Sequence, residues 1–81
     1  MRINVLFFAH VRDLVGLDRT VIELPDGASV QQAIDETVRL HPAIAPLRGR
    51  IAVALNERYQ PPSALLNDGC TLGLIPPVSG G

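Results

Sequence analysis

Two histidines, one cysteine, eight carboxylates and a terminal Gly80-Gly81 are the groups with which this 81-residue chain could do chemistry. Nucleophilic catalysis needs a base beside a serine or cysteine. The only histidines are His10 and His41. The pattern places His10 at the end of a strand and His41 at the end of a helix, where both read as structural or surface residues. A metal site needs three or four ligands, and the sequence has no Cys/His cluster. The carboxylates stand singly, apart from Asp35-Glu36 on the wet side of a helix. Neither a G-x-G-x-x-G nor a P-loop pattern occurs. The body of the domain carries no catalytic kit.

The end of the chain is different. It reads "IPPVSGG". A chance glycine pair or a loose terminus would account for the last two residues alone. Pro76 lacks the N–H for a ladder bond, and Pro76-Pro77 stiffen the chain into an extended form. At roughly 3.1 Å per residue, residues 76–81 could project about 18 Å. Gly80 and Gly81 have no Cβ, so this tip could thread a narrow channel. Its one reactive group is the Gly81 α-carboxylate. That group is a poor electrophile until it gains a leaving group such as AMP, after which a second enzyme could transfer sulfur, an amine or a thiol to the carbonyl. A carrier of this kind needs only a presentable end and a docking surface.

Composition agrees with a carrier. A chain of this length is one domain and buries only about 60–65% of the surface its unfolded form exposes. Because 47% of its residues are apolar, some apolar surface is expected to stay outside and meet a partner. The net charge is −1 and the seven basic residues are scattered arginines, which argues against nucleic acid or an anionic membrane as partner. Lysine is absent, which excludes P-loop, Schiff-base and lysine-linked polymer chemistry on this chain. The lone Cys70 allows no internal disulfide and reads as a small hydrophobe near a strand. No apolar run reaches the roughly eighteen residues of a membrane span, and no signal cleavage site is evident. A cytoplasmic location is expected.

The elements that must hold the tail follow from periodicity. "RINVLFFAH" (2–10) reads as a central strand buried on both faces. "VRDLVG" reads as a short helical turn stopped by Gly16. "RTVIELPDG" is a strand with Thr20, Ile22 and Leu24 on one side, ending in a Pro-Asp-Gly turn. Ser29 and Gln32 have capping-box spacing, and Val30, Ala33, Ile34 and Val38 make one apolar helical stripe. His41-Pro42 ends that helix. "PAIAPLRGR" reads as a loop, 51–55 as a short strand, "NERYQPPSALLNDG" as a long turn region and "CTLGLI" as the final strand. The first and second strands should pair antiparallel, with the first and last in the middle of the sheet. The expected fold is α+β: a ubiquitin-like β-grasp, a mixed sheet on one main helix. Residues 1–75 form the domain and 76–81 an extended, flexible tail.

"VLFFAHVRDLVG" near the start and "DGCTLGLIPPVSGG" at the finish resemble the small subunit of molybdopterin synthase. The similarity spans essentially the whole chain and is weakest over residues 40–66. The thiamine-pathway sulfur carrier is similar in fold and tail, and ubiquitin-like modifiers are more distant relatives. The resemblance implies a sulfur carrier that is not catalytic by itself. Gly81 would be adenylated by an ATP-dependent activating enzyme and converted, with a sulfur-donating enzyme, to a thiocarboxylate. Residues Pro76, Pro77, Val78, Ser79 and Gly80 would insert into the large subunit. The sulfur would pass to a cyclic pterin precursor on the way to molybdopterin, two carriers serving each product, in a heterotetramer. No bound cofactor is implied, since ATP belongs to the activating partner. Ile75 is expected at the centre of the docking surface, with Phe8 and Arg12 beside it. Cys70 and Ile75 depart from family habit, which favours an acidic residue at the first position and an aromatic or leucine at the second.

Overall fold

The computed structural model describes residues 1–77, and the elements run β1 (Arg2–Phe7), α1 (Ala9–Val15), β2 (Arg19–Glu23), α2 (Val30–Leu40), a 3₁₀ helix (Pro42–Arg50), β3 (Ala52–Leu55), β4 (Arg58–Gln60) and β5 (Thr71–Ile75). The strands form one mixed sheet in the order β2-β1-β5-β3-β4. β1 pairs antiparallel with β2 and parallel with β5, while β3 pairs antiparallel with both β5 and β4. This is the ubiquitin-like β-grasp, with β5 at the centre and β1 beside it, as the apolar content of the end strands predicts.

Strand alternation divides the sheet into a covered and an open face. Ile3, Val5, Phe7, Ile22, Val53, Leu72 and Leu74 point to the covered face and are buried. There they meet Val30, Ala33 and Ile34 of α2 in one core cluster. Thr37 is also buried on this helix, its hydroxyl donating to the Ala33 carbonyl at 2.8 Å, while Val38 is only partly buried.

The helix start follows its sequence signal. The Ser29 side chain accepts from Gln32 N at 3.3 Å, and Gln32 Oε1 accepts from Ser29 N at 2.9 Å. Two more N–H groups of this first turn are satisfied by the segment between β4 and β5, Val30 N by Ala64 O at 2.8 Å and Gln31 N by Pro62 O at 2.9 Å. Gly16 closes α1 at φ 81°, its N–H donating to Arg12 O.

Four expectations are corrected. β1 stops at Phe7, so His10 lies in α1 rather than at a strand end. β1 is buried on one face only, with Arg2 and Asn4 exposed and Leu6 half-buried, because no element of the described residues covers the second face. The stretch 42–50 is a 3₁₀ helix, whose three-residue period sends Ile44 and Leu47 inward together. Inside the supposed long turn, β4 pairs with β3 through a two-residue turn at Asn56-Glu57, with φ 49° and 72°.

Candidate functional site: the open sheet face and the root of the tail

A single row of residues crosses the open face. Leu6 is in register with Gly73, Gly73 with Ala54, and Ala54 with Tyr59. The two small residues make a floor between two large ones, leaving a groove of about 580 Å³. Its tail end is lined by Phe8 and Ile75 and its other end by Thr71, Asn56 and Glu57. The lining is predominantly apolar, as an uncovered β-sheet face reserved for a partner would be.

The structure brings Ile75 and Phe8 together here. Ile75 is the last residue of β5, half-buried and facing the groove, whereas its neighbour Leu74 is 1% exposed and belongs to the core. Phe8 follows β1, donates its N–H to Leu74 O at 3.3 Å, and is 44% exposed. Its ring lies over Gly73. Arg12 is exposed on α1 and is not among the groove residues. Pro76 is half-buried and Pro77 exposed, directly beyond Ile75. Val78, Ser79 and Gly80, expected to insert into a partner, and Gly81, expected to react, lie outside the described residues.

Sequence reading missed Leu6, Ala54, Tyr59 and the Asn56-Glu57 turn as parts of this face. Tyr59, 71% exposed, carried a usable signal: a large aromatic two residues beyond an Asn-Glu pair that can turn a hairpin.

The other chemistry-bearing groups are elsewhere. Cys70 is buried just before β5, its N–H donating to Asn67 O at 3.1 Å and its carbonyl accepting from Asn4 N at 2.9 Å. The His41 ring packs edge-on to Phe7 with centroids 5.7 Å apart. Asp35, Glu36, Arg39 and Arg48 form ion pairs on the solvent side of α2. The hydrogen bond from Gln31, with help from Arg48, holds the Asp35 carboxyl below its usual range, and Arg39 does the same for Glu36. Among the described residues no group of His, Cys, Asp and Glu could hold a metal ion. No helix of the described residues is long and apolar enough to cross a membrane. What this geometry supplies is an apolar platform beside Ile75 and Pro76.

The ThiS family model matches residues 5–81, a span that includes the tail and the final Gly-Gly. The chain belongs to the ThiS family. Among its relatives, this ThiS-family chain is 37% identical over its whole length to the molybdopterin synthase sulfur carrier subunit of Arabidopsis thaliana, covering 84% of that protein. Among solved structures, SAMP1 from Haloferax volcanii aligns with a TM-score of 0.90 at 26% identity, with both chains fully covered. A molybdopterin converting factor subunit 1 from Pyrococcus furiosus aligns at 0.84 with 33% identity, over 95% of this chain and 98% of that one. The fold also recurs in a complex of subunits 1 and 2 of the Helicobacter pylori molybdopterin-converting factor, with a TM-score of 0.70 at 24% identity and full coverage of both chains.

Proposed function

We propose that this chain is the sulfur carrier subunit of molybdopterin synthase. The observation that carries the reading is the end-to-end similarity to a sulfur carrier subunit of that enzyme, within a family match that runs through Gly81. The fold adds a physical reason. The groove and the root of the tail share one face, so a partner that takes the tail can close on Ile75 and Phe8 at once.

The chemistry is confined to the terminus. On the activating enzyme the Gly81 carboxylate attacks the α-phosphorus of ATP, pyrophosphate leaves, and an acyl-adenylate results. A persulfide or sulfide supplied by the sulfur-donating enzyme attacks the carbonyl carbon and AMP leaves. Any persulfide bond is then cleaved by a thiol, which leaves the thiocarboxylate. With residues 76–80 inserted into the large subunit, the thiocarboxylate sulfur passes to a cyclic pterin precursor, and water returns the carboxylate. The domain, residues 1–75, contributes docking and the tail, residues 76–81, contributes reach. ATP and the sulfur source belong to partners.

The likeness to SAMP1 favours a second reading, conjugation of Gly81 to lysines of other proteins, since that protein is described as a small archaeal modifier. Intact mass of the chain purified from its host separates the two. A carrier shows one oxygen replaced by sulfur, and a modifier shows larger conjugates. Deleting Gly81, or adding one residue after it, should abolish thiocarboxylate formation and leave the circular dichroism unchanged. Normal product formation by either variant with purified partners overturns the carrier reading.

A further inference from the structure

The groove has a direction, and its two ends differ in chemistry. At one end Ile75 leads into Pro76; at the other, Thr71 accepts a hydrogen bond from Asn56 N at 3.2 Å and Glu57 closes the β3–β4 turn. Thr71 and Ile75 are four residue steps apart along β5, which is about 13 Å at 3.3 Å per residue. Among the described residues, Glu57 is the one charged residue lining the groove. Arg58, next in the chain, pairs with Leu55 and so belongs to the opposite side of the sheet from Tyr59.

Glu57 is also held in an unusual way. A two-residue hairpin turn with positive φ at both positions favours Asn-Gly or Asp-Gly, because glycine meets no Cβ clash there. Asn56 at φ 49° fits the first position, but glutamate occupies the second at φ 72°. A non-glycine residue in this region is disfavoured, and such residues gather at sites where the surrounding structure needs them. Ala9, at φ 47°, immediately follows Phe8 at the other end of the groove. All three non-glycine residues with positive φ in the described chain therefore flank this one surface.

We propose that Glu57 fixes the orientation of the partner on the open face, by facing a cationic arginine or lysine of a partner surface whose apolar residues cover Phe8, Tyr59 and Ile75. The proposal rests on the carrier reading and concerns the protein that accepts the tail. An apolar patch alone is indifferent to rotation of whatever covers it. A charge at the far end from the tail root distinguishes one direction from its reverse, and so brings the mouth of a tail channel to Pro76. Charges at interfaces act in this way, through association rate and register more than through raw affinity.

The test is the binding kinetics of the full chain to the molybdopterin synthase large subunit from the same genome, at several salt concentrations. Glu57→Gln and Glu57→Gly should each slow association several-fold at low salt and flatten its salt dependence, with little change in dissociation. Glu57→Arg should weaken binding by about tenfold or more. Glycine tolerates φ 72°, so Glu57→Gly should keep or raise the melting temperature while it loses association rate, a combination that a purely structural role for Glu57 does not produce. Asp26→Asn, at a carboxylate side chain 98% exposed and outside the groove, removes the same charge and should bind as the parent does. Parent-like rates and salt slope in all three Glu57 variants overturn the proposal, as does an equal loss in Asp26→Asn. Both outcomes leave binding and sulfur transfer by the unaltered chain intact. Failure of the unaltered chain itself to bind the large subunit overturns the carrier reading, and this proposal with it.

Discussion

The Phe8 ring lies so close over Gly73 that a Cβ placed on residue 73 would come within 2.8 Å of the ring's Cε2 atom. This contact sets the edge of an exposed aromatic ring against the floor of the groove, beside the strand that leads into the tail. Gly73→Ala would displace the ring and leave the core residues Leu72 and Leu74 untouched. Because the displaced group is an exposed side chain, the stability cost should stay near the low end of overpacking, about 1 kcal/mol. Binding to the large subunit should fall several-fold. Thermal unfolding and a binding titration check the two halves, and unchanged binding would show that the Phe8 position is unimportant.

Leu74 and Ile75 are neighbours that should fail in different ways. Leu74 is 1% exposed in the core, so Leu74→Ala should cost about 2–5 kcal/mol of stability. Ile75 faces the groove, so Ile75→Asp should leave a folded domain. An Ile-sized group buried at an interface is worth about 1.5–3 kcal/mol, and an added charge brings a desolvation cost, so binding should weaken at least about tenfold. Denaturant titration and a binding isotherm on both variants give the comparison. A folded Ile75→Asp that binds like the parent removes Ile75 from the docking surface.

Cys70 should be dispensable for transfer. It is buried among core residues, and its backbone hydrogen bonds do not depend on the side chain. Cys70→Ala and Cys70→Ser should retain most sulfur-transfer activity with purified partners, with the serine variant the less stable because a hydroxyl enters an apolar site. A severe loss of transfer in a folded variant would place this thiol in the sulfur relay.

Acid should weaken the fold through the outer face of α2. The carboxyls of Asp35 and Glu36 titrate below their ordinary 3.8 and 4.5 in the folded chain, held there chiefly by Gln31 and Arg39 respectively. Their contribution is complete above those ordinary values and is lost as pH falls through the lowered ones. Solvent screening keeps the Asp35 share below about 1 kcal/mol. Asp35→Asn should therefore lower the melting temperature slightly at pH 7 and leave it nearly unchanged at pH 2. A variant that loses the same amount at both pH values would show that the charge is irrelevant.

Much of this molecule is local, and local features are legible in a chain. The Ser29–Gln32 capping box, the apolar stripe of α2 and the Gly16 stop act between residues a turn apart, so spacing alone reveals them. The tail is proposed on a related ground: proline restricts the backbone and glycine frees it by their own covalent structure, whatever the rest does. The Asn56-Glu57 turn escaped because its second position lacks the glycine that marks such turns. The 3₁₀ helix escaped because Pro46 and Gly49 read as breakers, while the inward pair Ile44 and Leu47 gains its meaning only from the core it enters.

Which face stays open was a tertiary decision. The opening stretch 2–10 is rich in apolar residues and reads as a strand covered on both sides, but within β1 itself Arg2 and Asn4 are polar and exposed. Among the described residues one long helix covers the sheet, and it lies on the face of Val5 and Leu72, leaving Leu6 and Ala54 only half-buried on the other. The row Leu6–Gly73–Ala54–Tyr59 comes from four strands, whose sideways register is set by pairing across long stretches of chain. No periodicity within one strand encodes that register. The residues that carry the tail were therefore written in the sequence, and the platform beside its root was assembled by the fold.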